Sequence, residues 1–120
     1  MVVSDLRLGV LGAIGGAVTD AVICGENRDR IGALFYPNPT LDRAAIAEAV
    51  RAGVAAFNAR AKGAGSRIAR AMVLPGPPDA HAGEITDKGY IAQAIARTLR
   101  AEAVERLFAV PVPADVMEFE

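Results

Sequence analysis

Residues 18–37, VTDAVICGENRDRIGALFYP, contain two short apolar runs separated by a polar turn cluster. The runs are VTDAVIC, residues 18–24, and IGALFY, residues 31–36, with GENRDR between them. Two apolar runs around such a cluster predict a β-hairpin with a longer loop. Pro37 and Pro39 end the second strand, because proline cannot donate a hydrogen bond to a sheet ladder. The stretch therefore predicts the first two strands of a sheet.

The segment after this hairpin, residues 40–65, has a helical period. Four apolar residues recur at steps of four and three and so share one face: Ile46, Val50, Val54 and Phe57. Thr40 is the predicted N-cap, and Asp42 suits the positive start of the helix. Lys62 and Gly63 are the predicted stop.

The rest of the chain predicts a strand, a loop and one last helix. Residues 67–74, RIARAMVL, form the predicted third strand, and the proline- and glycine-rich residues 75–84 form the loop. Apolar residues repeat every four positions and predict one amphipathic helix over residues 90–108. Pro111 and Pro113 end this helix, and the tail ADVMEFE is expected to fray.

The first 17 residues are open to two interpretations. LRLGVLGAIGGAV is either a strand with a glycine turn or a short helix weakened by glycine, which costs about 1 kcal/mol per interior position relative to alanine. With the other elements, this order predicts a small α+β fold, in which a short hairpin and a sheet of about three strands are flanked by helices.

Composition excludes several classes of protein. The chain of 120 residues is 52% hydrophobic and 22% charged, which is typical of a globular domain. Its net charge is -1 and it has no basic run, so we expect no nucleic-acid partner. The apolar residues 8–18 are too few for a membrane helix, which needs about 20, and no signal-peptide pattern is present.

The single cysteine, Cys24, lies in the first apolar run and is predicted to be a buried structural thiol. A disulfide framework or a cysteine-based zinc site needs more cysteines. The cysteine content therefore favours a reduced, cytoplasmic setting.

Two motifs that suggest chemistry have simpler structural interpretations. Gly9, Gly12 and Gly15 are spaced Gly-x-x-Gly-x-x-Gly, which differs from the dinucleotide-binding fingerprint, so we interpret them as turn or packing glycines. His81 is the only histidine and has no cysteine beside it, so we expect an exposed loop residue and no metal site.

Three carboxylates, Asp79, Glu84 and Asp87, cluster around the same loop. A glycosidase-type pair needs two carboxylates set across a cleft. A loop cluster is more often a solvated segment, and we expect no catalysis from this one.

The segment EITDKGYI, residues 84–91, is more informative because it follows the loop and precedes the predicted last helix. Thr86 and Asp87 are capping-type residues, and Lys88 stands just before Gly89. A lysine at a helix start is unfavourable, because the helix dipole places positive charge there. Such a local mismatch indicates a functional position.

At this segment the chain resembles the C-terminal motif of adenylate-forming enzymes, which has a threonine, a lysine and a glycine in either order, and then a helix. EITDKGYI with Gln93 looks most like feruloyl-CoA synthase-type members, which have Lys-Gly followed by an aromatic residue. VTDAVICGENRDRIGALFYP is similar to the family's strand–turn–strand, and the resemblance covers residues 6–109. The family's Gly-Arg-x-x-Asp hinge motif is absent, and Gln93 stands near the place of a frequent arginine.

The resemblance implies that residues 1–120 are one small C-terminal lid domain of a larger acyl-CoA synthetase, inactive without its N-terminal domain. The full enzyme would use ATP, Mg²⁺ and coenzyme A to convert a carboxylic acid into an acyl adenylate and then into an acyl-CoA. Lys88 would be the catalytic residue of adenylation, with Thr86, Asp87 and Gly89 supporting it. No metal ligand is expected in this domain.

Two alternatives remain open. The chain is either a lid from another branch, such as a carboxylic acid reductase or a peptide-synthetase adenylation domain, or a small α+β interaction module without catalysis. The region upstream of the chain would separate these hypotheses, because a lid requires a large ATP-binding domain with a Ser/Thr/Gly-rich phosphate loop.

Overall fold

The computed structural model describes residues 3–25, 30–61 and 67–119. The elements are α1 (Val3–Ile14), β1 (Val18–Cys24), β2 (Gly32–Pro37), α2 (Arg43–Arg60), β3 (Arg70–Val73), α3 (Gln93–Leu99), α4 (Ala101–Leu107) and β4 (Val116–Glu118). The predicted α+β class is confirmed, as a sheet of four strands with helices on both faces.

The four strands lie in the order β1-β2-β3-β4. Strands β1 and β2 form the predicted antiparallel hairpin, β2 and β3 run parallel with α2 between them, and β3 and β4 run antiparallel. The tail was predicted to fray, but this prediction was wrong, because residues 116–118 pair with residues 70–72 of β3.

Both faces of the sheet are buried, since alternate residues of each strand point to opposite sides. On one side Ile23 and Phe35 pack against α1 and α2. On the other side Val22 and Leu34 pack in a second core with residues of α3 and α4. Cys24 belongs to this second core and is buried, as predicted.

The amino-terminal ambiguity is resolved in favour of the helix, α1. It packs closely on α2 at Gly53, where an added Cβ would lie 2.6 Å from the Cα of Ile14. Val3, Leu6 and Val10 of α1 reach the first core.

Helix α2 carries the predicted apolar face, but its predicted N-cap was wrong. Asp42 caps the helix by accepting a 2.7 Å hydrogen bond from the N–H of Ala45. Thr40 bonds instead to the side chain of Asn38. The predicted stop at residues 62–63 lies outside the described residues, and the helix ends at Arg60.

The single helix predicted over residues 90–108 is two helices that meet at Arg100. Helix α3 begins only at Gln93, so residues 90–92 belong to the preceding segment. The peptide bond between Val110 and Pro111 is cis, in the connection to β4. In the described ranges, no helix is both long and apolar enough to cross a membrane.

Candidate functional site

Residues 84–92, which we call the lysine hairpin, fold back on themselves between the loop and α3. Ile85 and Ile91 form an antiparallel bridge. The N–H of Thr86 donates to the carbonyl of Tyr90 at 2.8 Å, and the N–H of Gly89 donates to the carbonyl of Thr86 at 3.0 Å. Gly89 has a φ of 91°, which glycine adopts without strain. A three-residue loop that ends in such a glycine is a common hairpin connection.

This geometry corrects the interpretation of Lys88 as a lysine at a helix start. Lys88 lies in the exposed loop of the lysine hairpin, five positions before the first residue of α3. Thr86 and Asp87 do not cap α3, because its N-cap residue is Ala92 and no side chain bonds there. The dipole mismatch therefore does not exist, and the loop itself explains why Asp-Lys-Gly occurs here.

The structure brings the four predicted site residues into one turn. Asp87, Lys88 and Gly89 are exposed, and no atom lies within 4 Å of a Cβ built on Gly89. Thr86 is half-buried, and its Oγ1 is enclosed without a hydrogen-bond partner. The turn thus exposes the side chain of Lys88 next to Gly89, which has no side chain.

Glu84, at the first end of the lysine hairpin, was predicted to be solvated but is fully buried. Its carboxylate accepts hydrogen bonds from the Tyr36 hydroxyl at 2.5 Å and from the Asp79 N–H at 2.6 Å. It also accepts two from Arg100, at 2.8 and 2.9 Å. The prediction failed because the partners of Glu84 come from β2 and from the junction of α3 and α4. We call Glu84 and its three partners, Tyr36, Asp79 and Arg100, the Glu84 cluster.

The protonation states in the Glu84 cluster follow from these contacts. Burial by itself raises the pKa of a carboxyl, but the hydrogen bonds from Arg100, Tyr36 and Asp79 bring the pKa of Glu84 below its ordinary value. Burial and the bond to Glu84 raise the pKa of Tyr36, so the phenol stays protonated and donates. The cluster is thus a charged carboxylate neutralised by one guanidinium.

Asp20 makes a second cluster, at the other end of the lysine hairpin. This buried carboxylate receives two hydrogen bonds from Arg7 of α1, at 2.6 and 2.9 Å. It also accepts from the N–H of Ile91 at 3.0 Å and from the N–H of Ala21 at 2.7 Å. The guanidinium of Arg7 lies 5.5 Å from the centre of the Tyr90 ring. Asp20, Arg7 and Ile91 form the Asp20 cluster.

Helix α3 continues from the lysine hairpin and is held on the free edge of β1. The side chain of Gln93 accepts from the N–H of Ile23 and donates to the carbonyl of Ala21, both at 2.9 Å. Arg97 donates to the carbonyl of Ile23 at 3.0 Å. The glutamine that departs from the resembled motif thus continues the hydrogen bonding of the sheet edge.

The sequence did not single out Asp20, Tyr36 or Arg100. The available signal was the charge of Asp20 and the hydroxyl of Tyr36 inside apolar runs, since a buried polar group requires a partner. Arg100 lies among other charged residues and carried no such signal in the sequence.

The interpretation of His81 as an exposed loop residue is confirmed. Gly9 is a packing glycine, because an added Cβ would lie 2.7 Å from the Phe57 ring, and Gly15 follows α1 with a φ of 85°, as a turn glycine does. Gly12 lies in α1 with open space around it, so its predicted packing role is wrong.

The surface also has an open groove of about 1140 Å³ between α2, the α3–α4 junction and β4. Arg43, Arg51, Thr98, Ala103 and Val116 are among its lining residues. In the part of the chain that the structure describes, no group of three or more His, Cys, Asp or Glu is placed to hold a metal ion.

Residues 10–110 match the family model described as the AMP-binding enzyme C-terminal domain. The chain belongs to this family. No curated protein and no solved structure matches it. The match covers both clusters apart from Arg7 and includes the whole lysine hairpin.

Membership defines the chain as the C-terminal domain of an adenylate-forming enzyme, and the α+β fold agrees with it. The family implies association with an N-terminal adenylation domain and the use of ATP and Mg²⁺ by the full enzyme. The exposed ammonium of Lys88 is suited to contact phosphate or carboxylate oxygens, whereas the described residues supply no metal cluster.

Proposed function

We propose that this domain is the lid of an ATP-dependent acid–CoA ligase, and that Lys88 is its adenylation lysine. The first half-reaction joins a carboxylate to the α-phosphate of ATP and releases pyrophosphate. In the second, the thiol of coenzyme A displaces AMP. The observation that carries the proposal is the exposure of Lys88 in a hairpin loop whose two ends are held by buried carboxylates.

The chemistry needs a cation that arrives with the closing lid. As the carboxylate approaches the phosphate, negative charge accumulates, and a placed ammonium stabilises it. A lid supplies that charge only when it closes. Lysine suits this task because its compact ammonium has three donors on a flexible stem.

The neighbours of Lys88 have supporting roles in this proposal. Gly89 leaves open space beside the lysine, which allows close approach of the nucleotide. Thr86 supports the lysine through its backbone, because its N–H and its carbonyl make the two loop hydrogen bonds. Asp87 is the first residue of the turn that presents Lys88. The Mg²⁺ ligands would come from the N-terminal domain.

The proposal also specifies the thiol that accepts the acyl group and the class of acid that is activated. The order Lys88-Gly89, followed by the aromatic Tyr90 and then Gln93, is similar to feruloyl-CoA synthase-type members. This similarity supports coenzyme A as the acceptor thiol and an aromatic acid as the substrate. A carrier-protein thiol in place of coenzyme A would move the domain to the reductase or peptide-synthetase branch.

The test is pyrophosphate release by the enzyme that carries this domain together with its N-terminal domain. ATP would be supplied with ferulic, benzoic and long-chain acids, to wild type and to Lys88→Ala. We expect adenylation to fall by about 100-fold or more, as when one preorganised charge-stabilising group is removed. Thioester formation from a supplied acyl adenylate should persist.

The matched control is Arg51→Ala, which removes an exposed cation from α2, a helix packed on the opposite face of the sheet. This variant should keep full adenylation. Both substitutions should change the free energy of unfolding by under about 0.5 kcal/mol, as is usual at exposed positions. Equal pyrophosphate release by wild type and Lys88→Ala would contradict the role of Lys88. If none of the acids supports pyrophosphate release, that result would favour the interaction-module alternative.

A further inference from the structure

The lysine hairpin is too small to fix its own geometry. One bridge and two loop hydrogen bonds hold residues 85–91 together, and an isolated two-stranded hairpin is marginally stable at best in water. The direction in which Lys88 points is therefore set by what holds the two ends of the hairpin. Those ends are Glu84 and Ile91. Each belongs to one buried carboxylate cluster, and the side chain of Ile91 also packs in the second core.

We propose that Glu84 and Asp20 are positioning residues for Lys88. They fix the two ends of the lysine hairpin, and the position of its loop follows from them. The inference rests on the proposed function of Lys88 and extends it to residues that do not touch substrate.

Glu84 fixes the first end through contacts from three separate parts of the fold. Tyr36 reaches it from β2, Arg100 from the junction of α3 and α4, and the Asp79 N–H from the preceding loop. The backbone of Glu84 also accepts from the N–H of Ala92 at 2.9 Å, which closes the base of the hairpin. Because these contacts come from different directions, Glu84 fixes the position of the hairpin base relative to the sheet.

Asp20 fixes the second end from the other side. Its Oδ2 accepts from the N–H of Ile91, and Arg7 of α1 holds the same carboxylate with two bonds. Arg7 also faces the Tyr90 ring, which immediately follows the loop. The second end of the hairpin is thus fixed to β1 and α1.

Positioning is decisive for a residue such as lysine. Its stem has a fixed length, so the position of the backbone from which it starts limits which atoms its ammonium can reach. A displacement of about 1 Å at a reacting centre costs about 100-fold in rate. A loosened hairpin would lower adenylation while leaving the chemical identity of Lys88 intact.

The experiment measures the two half-reactions separately in the enzyme with its N-terminal domain. Glu84→Gln and Asp20→Asn keep the size of each side chain. They remove the negative charge that forms an ion pair with Arg100 and with Arg7, respectively. We expect each variant to slow adenylation by about 10-fold or more, with KM for ATP changed far less than kcat. Conversion of a supplied acyl adenylate with coenzyme A should change by less than about twofold, because Lys88 serves adenylation only.

Two further variants make the result specific. Val54→Ala opens a cavity in the first core, on the opposite face of the sheet, and controls for a general loss of stability. Hydrogen exchange of the peptide that contains Gly89 gives a readout independent of activity. It should become faster by about 10-fold in Glu84→Gln but not in Val54→Ala at matched stability.

Lys88→Gln separates the two proposals. If it abolishes adenylation while Glu84→Gln and Asp20→Asn do not alter it, positioning is wrong and the adenylation role of Lys88 stands. Val54→Ala is expected to lower both half-reactions equally, through a general loss of stability. If the two carboxylate variants do the same, their role is structural only. If Lys88→Gln itself leaves adenylation unchanged, the proposed function fails and the inference falls with it.

Discussion

The β1–β2 hairpin and the lysine hairpin are built in opposite ways. The first pairs six positions from Val18↔Pro37 to Cys24↔Gly32, and its side chains fill both cores of the domain. The second has a single bridge, Ile85↔Ile91, and its loop residues are exposed. A backbone ladder and apolar burial along both strands stabilise the first hairpin, whereas the second relies on hydrogen bonds to two buried carboxylates and on the packing of Ile85 and Ile91 at its ends.

The difference shows how one small domain provides both a rigid support and an accessible cation. A loop that must meet a nucleotide cannot be covered by apolar side chains, so burial is not available to hold it. Buried charged groups with several partners add to the burial of Ile91 at the ends of the hairpin, because each fixes direction as well as distance. The two hairpins should therefore respond differently to substitution.

The largest effect is expected from the β1–β2 hairpin. Phe35 is fully buried on β2, and Phe35→Ala should lower the free energy of unfolding of the chain by about 4 kcal/mol, through lost burial and a cavity. Urea unfolding followed by circular dichroism measures this change. A loss below about 1 kcal/mol would show that the first core is not the main source of stability.

An intermediate effect, dependent on pH, is expected from the Glu84 cluster. Because the folded state lowers the pKa of Glu84, its ionised form stabilises the domain above the ordinary pKa of a glutamate, and this contribution is lost as the pH falls through about 4 and below. Glu84→Gln should cost about 2 kcal/mol at pH 7, where Arg100 loses its charged partner.

The unfolding midpoint of wild type and Glu84→Gln, measured from pH 7 to pH 2, tests this dependence. The gap between the two proteins should narrow in acid. A gap that stays constant over that range would show that Glu84 is not the titrating group.

The smallest effect is expected from the loop of the lysine hairpin. Gly89 has a positive φ and open space around it, so Gly89→Ala should cost only the conformational penalty, about 1 kcal/mol. Gly76→Ala is the matched control, because an added Cβ meets nothing there and the backbone needs no positive φ. Thermal unfolding of both variants gives the comparison, and equal midpoints would contradict the hairpin geometry of the loop.

The sequence predicted the larger hairpin, α2 and the α+β class, because those features depend on local periodicity. It predicted a continuous last helix and missed the break, since Arg100 at the junction is directed to Glu84 by the tertiary structure. It also missed β4, whose three residues pair with β3 residues that lie 44 to 48 positions earlier in the chain. Short strands of this kind carry no local signal.

The candidate site was predicted in part. Residues 86–89 form one turn in the structure, and their roles remain predictions. The turn was mistaken for a helix start, although a glycine-containing trio between β-branched or aromatic neighbours is a hairpin signal. Asp20 and Glu84 could not be recognised as hairpin supports, because their partners are distant in sequence.

The wide sequence separation of the contacts to the lysine hairpin has a consequence for the order of folding. The bond from Ile91 to Asp20 closes a loop of 71 residues, and the bond from Tyr36 to Glu84 closes one of 48. Closing a long loop costs conformational entropy before the contact is made, so contacts of this kind form late in folding. On a growing chain Arg100 follows all of the other residues in both clusters. The surface that presents Lys88 would therefore be completed only after the β1–β2 hairpin, which makes the loop a late indicator that this part of the domain has folded correctly.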